Sequence, residues 1–265
     1  MQLSAIYLYP IKSLAGIRLE KSKVTLRGLE NDRRFMLTKL DGTFLTQRVI
    51  PQMALLKVKI AGEELHIWHK EQPTDVLIIP IKPAVFIGTQ ATDVWGHPCK
   101  GSILEKSIND WFSQKLNTPC QLIYMTEDSL RPIDEAYRKT GEIVSFADGF
   151  PYLLLGQASM DDLNSRLEQP VDINRFRANL IFSGGQPFEE DHWNYFKIGD
   201  LTFRGTKPCA RCQVPNINQE TAAIEQEPNR TLARFRVFKR NGKNKVLFGM
   251  NACWEQGLSE GKHRL

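Results

Sequence analysis

Three dipeptides constrain this chain more than any other feature: Asp41-Gly42, Ala61-Gly62 and Asn241-Gly242, each between two short β-leaning runs. Asp-Gly and Asn-Gly tolerate the positive φ angles of a tight hairpin, so each reads as a reversal between antiparallel strands. Arg34 to Leu40 and Thr43 to Arg48 flank the first. Met53 to Ile60 and Glu64 to His69 flank the second, and Phe235 to Phe238 and Lys245 to Phe248 the third. Leu3 to Tyr9, Val76 to Ile81, Gln121 to Met125, Tyr152 to Leu155, Leu180 to Phe182, and Tyr195 to Arg204 around Gly199-Asp200 add further strand-like runs. Such close spacing in the first eighty residues predicts a small barrel or sandwich.

Helix enters twice. Ser102-x-x-Glu105 reads as a capping box ahead of Leu104, Ile108, Trp111, Phe112 and Leu116, which recur at helical spacing and are expected to pack into a core. A second helix is expected near Ser159-x-x-Asp162, burying Met160, Leu163 and Leu167. The fold class is therefore mainly β with helices, α+β. A soft boundary near residue 120 would give units 1–120 and 121–265. Thr126 to Gly141, polar and long for a loop, is a candidate cover over a site.

Composition narrows the function. The net charge of +5 on 265 residues, with no dense Lys/Arg run, fits an anionic ligand better than nucleic acid. The longest apolar window, Val76 to Gly88, is broken by Pro80, Lys82 and Pro83, so no membrane span is expected. The first residues lack the basic start and small-residue cleavage site of a secretory signal. Five cysteines without framework spacing point to a reducing compartment, the cytoplasm.

Chemistry concentrates in Lys207-Pro208-Cys209-Ala210-Arg211-Cys212-Gln213-Val214-Pro215. Two thiols in Cys-x-x-Cys spacing can meet on one turn of backbone, and the flanking cations would favour thiolate. The prolines argue against a continuous helix and for a rigid loop. Structural zinc needs four ligands, and Cys99, Cys120 and Cys253 stand alone; they read as buried thiols. A thioredoxin-type pair would open a helix, which Pro215 and Asn216-Ile217-Asn218 oppose. Two idle cysteines in a β-turn remain an alternative, weakened by the cations. Lys12, Arg33, Arg175, Arg177 and Arg211 lie in or beside turns, where cations can converge on a phosphate or carboxylate. No P-loop, Gly-x-Gly-x-x-Gly or Gly-x-Ser-x-Gly occurs.

Several motifs in order give a resemblance across nearly the whole chain. They are Tyr9-Pro10-Ile11-Lys12-Ser13, Asn31-Asp32-Arg33, Asp148-Gly149-Phe150-Pro151, Ala158 to Asn164, Arg175-Phe176-Arg177-Ala178-Asn179, Glu190-Asp191-His192-Trp193 and Cys209-Ala210-Arg211-Cys212. The sequence resembles MOSC-domain proteins with an N-terminal β-barrel subdomain, a group that includes the mitochondrial amidoxime-reducing components and bacterial hydroxylaminopurine-reducing relatives. The resemblance implies a β-barrel MOSC domain at 121–265 packed on a smaller N-terminal β-barrel or sandwich at 1–120.

It also implies a molybdenum cofactor, a pterin dithiolene with a phosphate tail. Cys212 would be the thiolate ligand of molybdenum, Cys209 not, and soft sulfur suits such a centre. Ala210 and Arg211 would contact the cofactor; Lys12, Ser13, Arg33, Arg177 and Asn179 would hold its phosphate and pterin; Gly149 and Phe150 would line the same cleft. The implied activity is reduction of N-hydroxylated small molecules, such as hydroxylaminopurines or amidoximes. Asp148 and Asp191 are candidate proton donors or orienting groups. Alternatives are a non-catalytic molybdopterin carrier and a sulfur-transfer protein with a persulfide on Cys212.

Against the family pattern, Ala178 stands where proline is common and Ala210 where serine is frequent. No Cys-x₄-Cys-x₂-Cys run exists for a fused iron–sulfur domain, so electrons would come from a separate donor, a flavin reductase. The chain stops soon after Phe248-Gly249-Met250-Asn251, which predicts a missing or replaced last barrel strand.

Overall fold

The structure, a computed structural model, describes residues 1–240 and 242–255. Its strands in chain order are β1 (Gln2–Leu8), β2 (Ile17–Leu19), β3 (Val24–Thr25), β4 (Gly28–Leu29), β5 (Phe35–Thr38), β6 (Leu56–Ala61), β7 (Glu64–His69), β8 (Gln72–Pro80), β9 (Gly88–Asp93), β10 (Pro98–Ile103) and β11 (Gln121–Tyr124). After these come β12 (Tyr152–Gly156), β13 (Leu180–Ser183), β14 (Tyr195–Ile198), β15 (Leu201–Ala210), β16 (Val237–Arg240) and β17 (Lys243–Trp254). The helices are α1 (Lys106–Leu116), α2 (Gln157–Ser165) and α3 (Asn229–Phe235). The fold is mainly β with three α-helices, α+β.

The largest sheet runs β14-β15-β17-β12-β13-β1-β2, with β16 paired to β17. Its centre, β12, pairs antiparallel with β17 and parallel with β13. A strand covered on both faces must be apolar throughout, and Tyr152-Leu153-Leu154-Leu155 is. Met160, Leu163 and Phe176 pack on one face, and Leu154, Tyr152 and Phe203 on the other. Each such fully buried side chain contributes about 1.5–3 kcal/mol by leaving water. Four-stranded β5-β11-β10-β9 and three-stranded β6-β7-β8 form the remainder with the short β3-β4 ribbon. The four- and three-stranded sheets share a core of Phe35, Leu65, Ile67 and Leu122, with Phe112 of α1 packed into it, while Val24 and Leu29 of the ribbon pack with Tyr152 and Phe203.

These hydrogen-bonded paths have free ends, so among the described residues strand pairing traces neither expected barrel closed. Pairing also crosses residue 120 in both directions. β1 joins β13, and β11 joins β5 and β10.

The turns at Gly62 and Gly199 form as the sequence indicates, with φ of 63° and 56°. The Arg240↔Lys243 register closes the third hairpin, whose Asn241 lies outside the described residues. At Asp41-Gly42 the turn forms but its second arm does not. Only Thr38↔Phe44 bridges, and β5 takes β11 as its partner instead. Met53 to Leu55 is a 3-10 turn after Pro51 rather than strand.

Neither helix starts where its polar pattern suggests. Ser102 belongs to β10, and Glu105 caps α1 without a side-chain bond. α2 opens at Gln157. Ser159 is fully buried inside it, donating to Glu190 and accepting from the Phe188 amide. β17 carries Phe248 to Asn251 and continues to Trp254, pairing Phe203↔Trp254; the further strand expected to be missing or replaced would lie outside the described residues. No helix among the described residues is long and apolar enough to cross a membrane.

Candidate functional site

Strand ends and turns from distant parts of the chain meet at one cleft of about 830 Å3, including its open mouth. Lys12 and Ser13 follow β1; Arg33 precedes β5. Ala147-Asp148-Gly149-Phe150 leads into β12, and Arg177 and Asn179 lead into β13. Cys209, Ala210, Arg211 and Cys212 close the cleft at the end of β15. All ten residues expected to hold a cofactor or metal (Lys12, Ser13, Arg33, Gly149, Phe150, Arg177, Asn179, Ala210, Arg211 and Cys212) line it.

The cysteine segment is less of a loop than its prolines suggest. β15 runs through Cys209 to Ala210, and its register against β17 slips on either side of Pro208. The first slip leaves Thr206 of β15 as the extra residue, and past Pro208 the extra residue falls on β17. Arg211 and Cys212 follow just past the strand end. Arg211 is then anchored three ways. Its amide donates to the Val246 carbonyl at 2.8 Å, and its guanidinium donates to the Phe176 carbonyl at 2.9 Å and to the Cys209 sulfur at 3.2 Å. Lys207 lies over the Tyr137 ring.

Arg33 and Arg177 lie over the Tyr9 ring, 4.2 and 4.4 Å from its centroid. Arg33 donates to Asp32 at 2.6 Å, to the Asn179 side chain at 3.0 Å and to the Arg177 carbonyl at 3.0 Å. Asn179 also donates to Asp32 and to the Tyr7 carbonyl, so its polar atoms are spent on holding the wall together. Ser13, Arg33 and Arg177 all adopt left-handed backbone, φ of 69°, 46° and 55°. Non-glycine residues take that conformation rarely, and its clustering on one cleft marks a functional site.

The charge balance is one-sided. Lys12, Arg33, Arg48, Arg177 and Arg211 line the cleft against a single carboxylate, Asp148. Burial pushes the Lys12 ammonium down to about 8 against the pull of Asp148, 2.5 Å away. Burial likewise lowers Arg177 to about 10, although Tyr9 works to raise it. The Asp148 side chain is exposed, and Lys12 and Arg48 hold its carboxyl well below the usual carboxylate range. Three buried donors, Arg48 Nε, Arg177 Nη2 and Arg211 Nε, have no protein partner among the described residues. A Cβ on Gly149 would meet nothing within 4 Å. The wall is thus poor in anions, holds spare N–H groups and has open room, which fits a large anionic ligand with a phosphate tail.

Three expectations are corrected. Asp191 is not in the cleft; it pairs with Arg236 in a separate depression beside Phe188. Arg175 turns away to Glu225. None of Thr126 to Gly141 lines the cleft. That stretch braces it from behind through Arg131, which is 1% exposed and donates to the carbonyls of Val94, Ser145, Ala147 and Asp148. Cys120 and Cys253 are buried as expected, the latter pushed up to about 12 by burial, while Cys99 is only half-buried.

Arg48 and Trp95 are the residues the sequence reading missed. Arg48 donates to Asp148 at 3.1 Å and lines the cleft with Cys212. Trp95 donates its indole N–H to Asp148 at 3.1 Å. Neither carries a local motif; an arginine ending a strand-like run is the only signal for Arg48.

The site of this β-rich protein is a basic, strained, sulfur-bearing cleft at the ends of several strands, and sequence comparison supplies the family. The chain matches the MOSC domain over residues 141–262 and the MOSC N-terminal beta barrel domain over residues 1–119. It belongs to the MOSC-domain family. It is 31% identical, over 99% of its length, to a molybdenum cofactor sulfurase of Oryza sativa subsp. japonica, covering 34% of that protein. It is 30% identical to mitochondrial amidoxime reducing component 2 of Rattus norvegicus, over 93% of this chain and 77% of that one. The human mitochondrial amidoxime-reducing component 1 is 28% identical, over 87% and 71%. The chain spans about a third of the length of the plant sulfurases it matches.

Proposed function

We propose that this protein binds a molybdenum cofactor and reduces N-hydroxylated small molecules with electrons from a separate donor protein. The observation that carries the reading is the convergence of five cations, three of them with N–H groups unpartnered among the described residues, around the accessible end of the Cys209–Cys212 segment. Soft thiolate suits molybdenum, and Cys212 is the sulfur we assign to it. Lys12, Ser13, Arg33 and Arg177 would hold the anionic tail and pterin, and Asn179, bonded to Arg33 and Asp32, would hold Arg33 in place. Ala210 and Arg211 would contact the cofactor beside Cys212, with Gly149 and Phe150 forming the opposite wall.

When bound, the cofactor supplies the two-electron chemistry and the protein binds and orients. The balance is R–NH–OH + 2 e⁻ + 2 H⁺ → R–NH₂ + H₂O, in which the N–O bond breaks and nitrogen is reduced. Asp148 would orient Lys12, Arg48 and Trp95, to all of which it is hydrogen-bonded. The electron donor would be a flavin reductase or an equivalent protein, and the setting a reducing one, the cytoplasm. The similarity to amidoxime-reducing components over most of both chains supports this reading.

The test is turnover of benzamidoxime and of 6-hydroxylaminopurine by protein from a cofactor-competent host, with reduced dye as donor. The expected result is stoichiometric amidine or amine. The similarity to plant molybdenum cofactor sulfurases favours a second reading, in which the same cleft carries the cofactor or a sulfur atom without reducing substrate. Molybdenum-loaded protein with no turnover would select the cofactor carrier, and protein without molybdenum the sulfur carrier.

A further inference from the structure

Asn229 opens α3 and does not line the cleft, yet its side-chain amide donates to the Cys212 carbonyl at 2.6 Å. A carbonyl only accepts, so the amide must turn its N–H groups toward Cys212. That leaves Asn229 Oδ1 buried with no partner among the described residues. A buried acceptor without a donor costs stability, so packing alone does not explain an asparagine here.

The amide is itself held in place. The Asn229 backbone N–H donates to Asn216 Oδ1 at 3.1 Å, and Asn216 ends the 3-10 turn Val214–Asn216 that follows the cysteine segment. Leu232, one turn along α3, is fully buried in the core that holds Phe176 and Phe248. At the far end of the helix Arg236 and Leu247 exchange bonds. Arg236 Nε donates to the Leu247 carbonyl at 3.0 Å, and the Leu247 amide donates to the Arg236 carbonyl at 2.9 Å. Leu247 is the register partner of Ala210. α3 therefore splints the segment, holding Cys212 directly at one end and Ala210 through β17 at the other.

We propose that Asn229 is a positioning residue: by fixing the Cys212 carbonyl just beyond the last strand pairing, it sets how the Cys212 sulfur is presented to the metal. This rests on the proposed assignment of Cys212. The Arg211 amide still pairs with Val246, so Cys212 is where the sheet stops guiding the chain and a side chain takes over. Partners that orient a metal-binding residue change metal affinity by about 10–100-fold when removed.

The test compares wild type, Asn229→Ala and Asn229→Leu. Leucine has the branched shape of asparagine but cannot donate. In metal-free protein, iodoacetamide labelling of Cys212 is followed by peptide mass spectrometry; tryptic cleavage after Arg211 separates it from Cys209, and half-buried Cys99 is the internal control. Both variants should label Cys212 at least about fivefold faster, with Cys99 unchanged, because the segment opens locally. In protein from a cofactor-competent host, molybdenum should leave both variants on dialysis at least about tenfold faster than wild type. Asn229→Leu that matches wild type in labelling, or in molybdenum loss where molybdenum is bound, would overturn the role of Asn229. Faster labelling of Cys99 and Cys212 together would mark general loosening and overturn it too. Faster labelling of Cys212 alone, with no molybdenum in any form, would uphold the placement of Cys212 by Asn229 and reject the cofactor reading.

Discussion

Replacing Lys12 by methionine should make the cofactor-free protein more stable at neutral pH. Lys12 is 5% exposed, and its ammonium donates to the Phe146 carbonyl at 2.8 Å and to Asp148 at 2.5 Å. Burial lowers its pKa from 10.5 to about 8 even with Asp148 beside it. That drop corresponds to about 3 kcal/mol against the charged form in the folded state. The folded chain binds fewer protons than the unfolded one between pH 8 and 10.5, so stability rises with pH across that window. Below pH 8 the full cost is present.

Lys12→Met removes this cost and leaves the Phe146 carbonyl without its partner, a loss of about 1–2 kcal/mol. The variant should be more stable by about 1–2 kcal/mol at pH 7. The difference should fall by about 2 kcal/mol by pH 10, vanishing or reversing as wild-type Lys12 becomes neutral. Urea denaturation of both forms at pH 7 and pH 10 reads the gap directly. A gap that stays constant between the two pH values would refute the claim that a charged amine is buried at the cleft.

Two other substitutions probe the scaffold. A Cβ on Gly205 would lie 1.9 Å from the Trp193 carbonyl oxygen, so Gly205→Ala must displace β14 or the cysteine strand; it should cost at least about 3 kcal/mol, or roughly 6 to 12 °C in melting temperature. Arg204 is buried between Glu142 and Glu255, and Arg204→Met leaves Glu142, 6% exposed, without its cation. That change should cost about 3–5 kcal/mol at pH 7 by urea denaturation, and less at pH 5 as the stranded carboxyl takes a proton.

What the sequence revealed follows from how locally each feature is encoded. The central strand β12 and the Gly199 and Gly62 turns were legible because burial on both faces, or a positive φ, leaves its mark within a few residues. The second arm at Thr43 to Arg48 has the right local pattern, yet β5 gains more by pairing with β11, eighty residues on. β9 escaped notice because Gly88-Thr89-Gln90-Ala91-Thr92-Asp93 is mostly exposed and shows no apolar alternation. The cleft was legible only where motifs repeat a family pattern: Lys12, Arg33, Asp148, Arg177 and Cys212 carry no short-range signal that they meet. Arg48 and Trp95 sit on the elements that were misread or unseen, so their place beside Asp148 could not be inferred.

The assignment of Cys212 as the metal-binding sulfur is tested most directly by molybdenum per chain, measured by mass spectrometry on protein from a cofactor-competent host. Wild type and Cys209→Ala should retain close to one molybdenum each, and Cys212→Ala should retain almost none. Equal retention in the two alanine variants, or loss only in Cys209→Ala, would contradict the account.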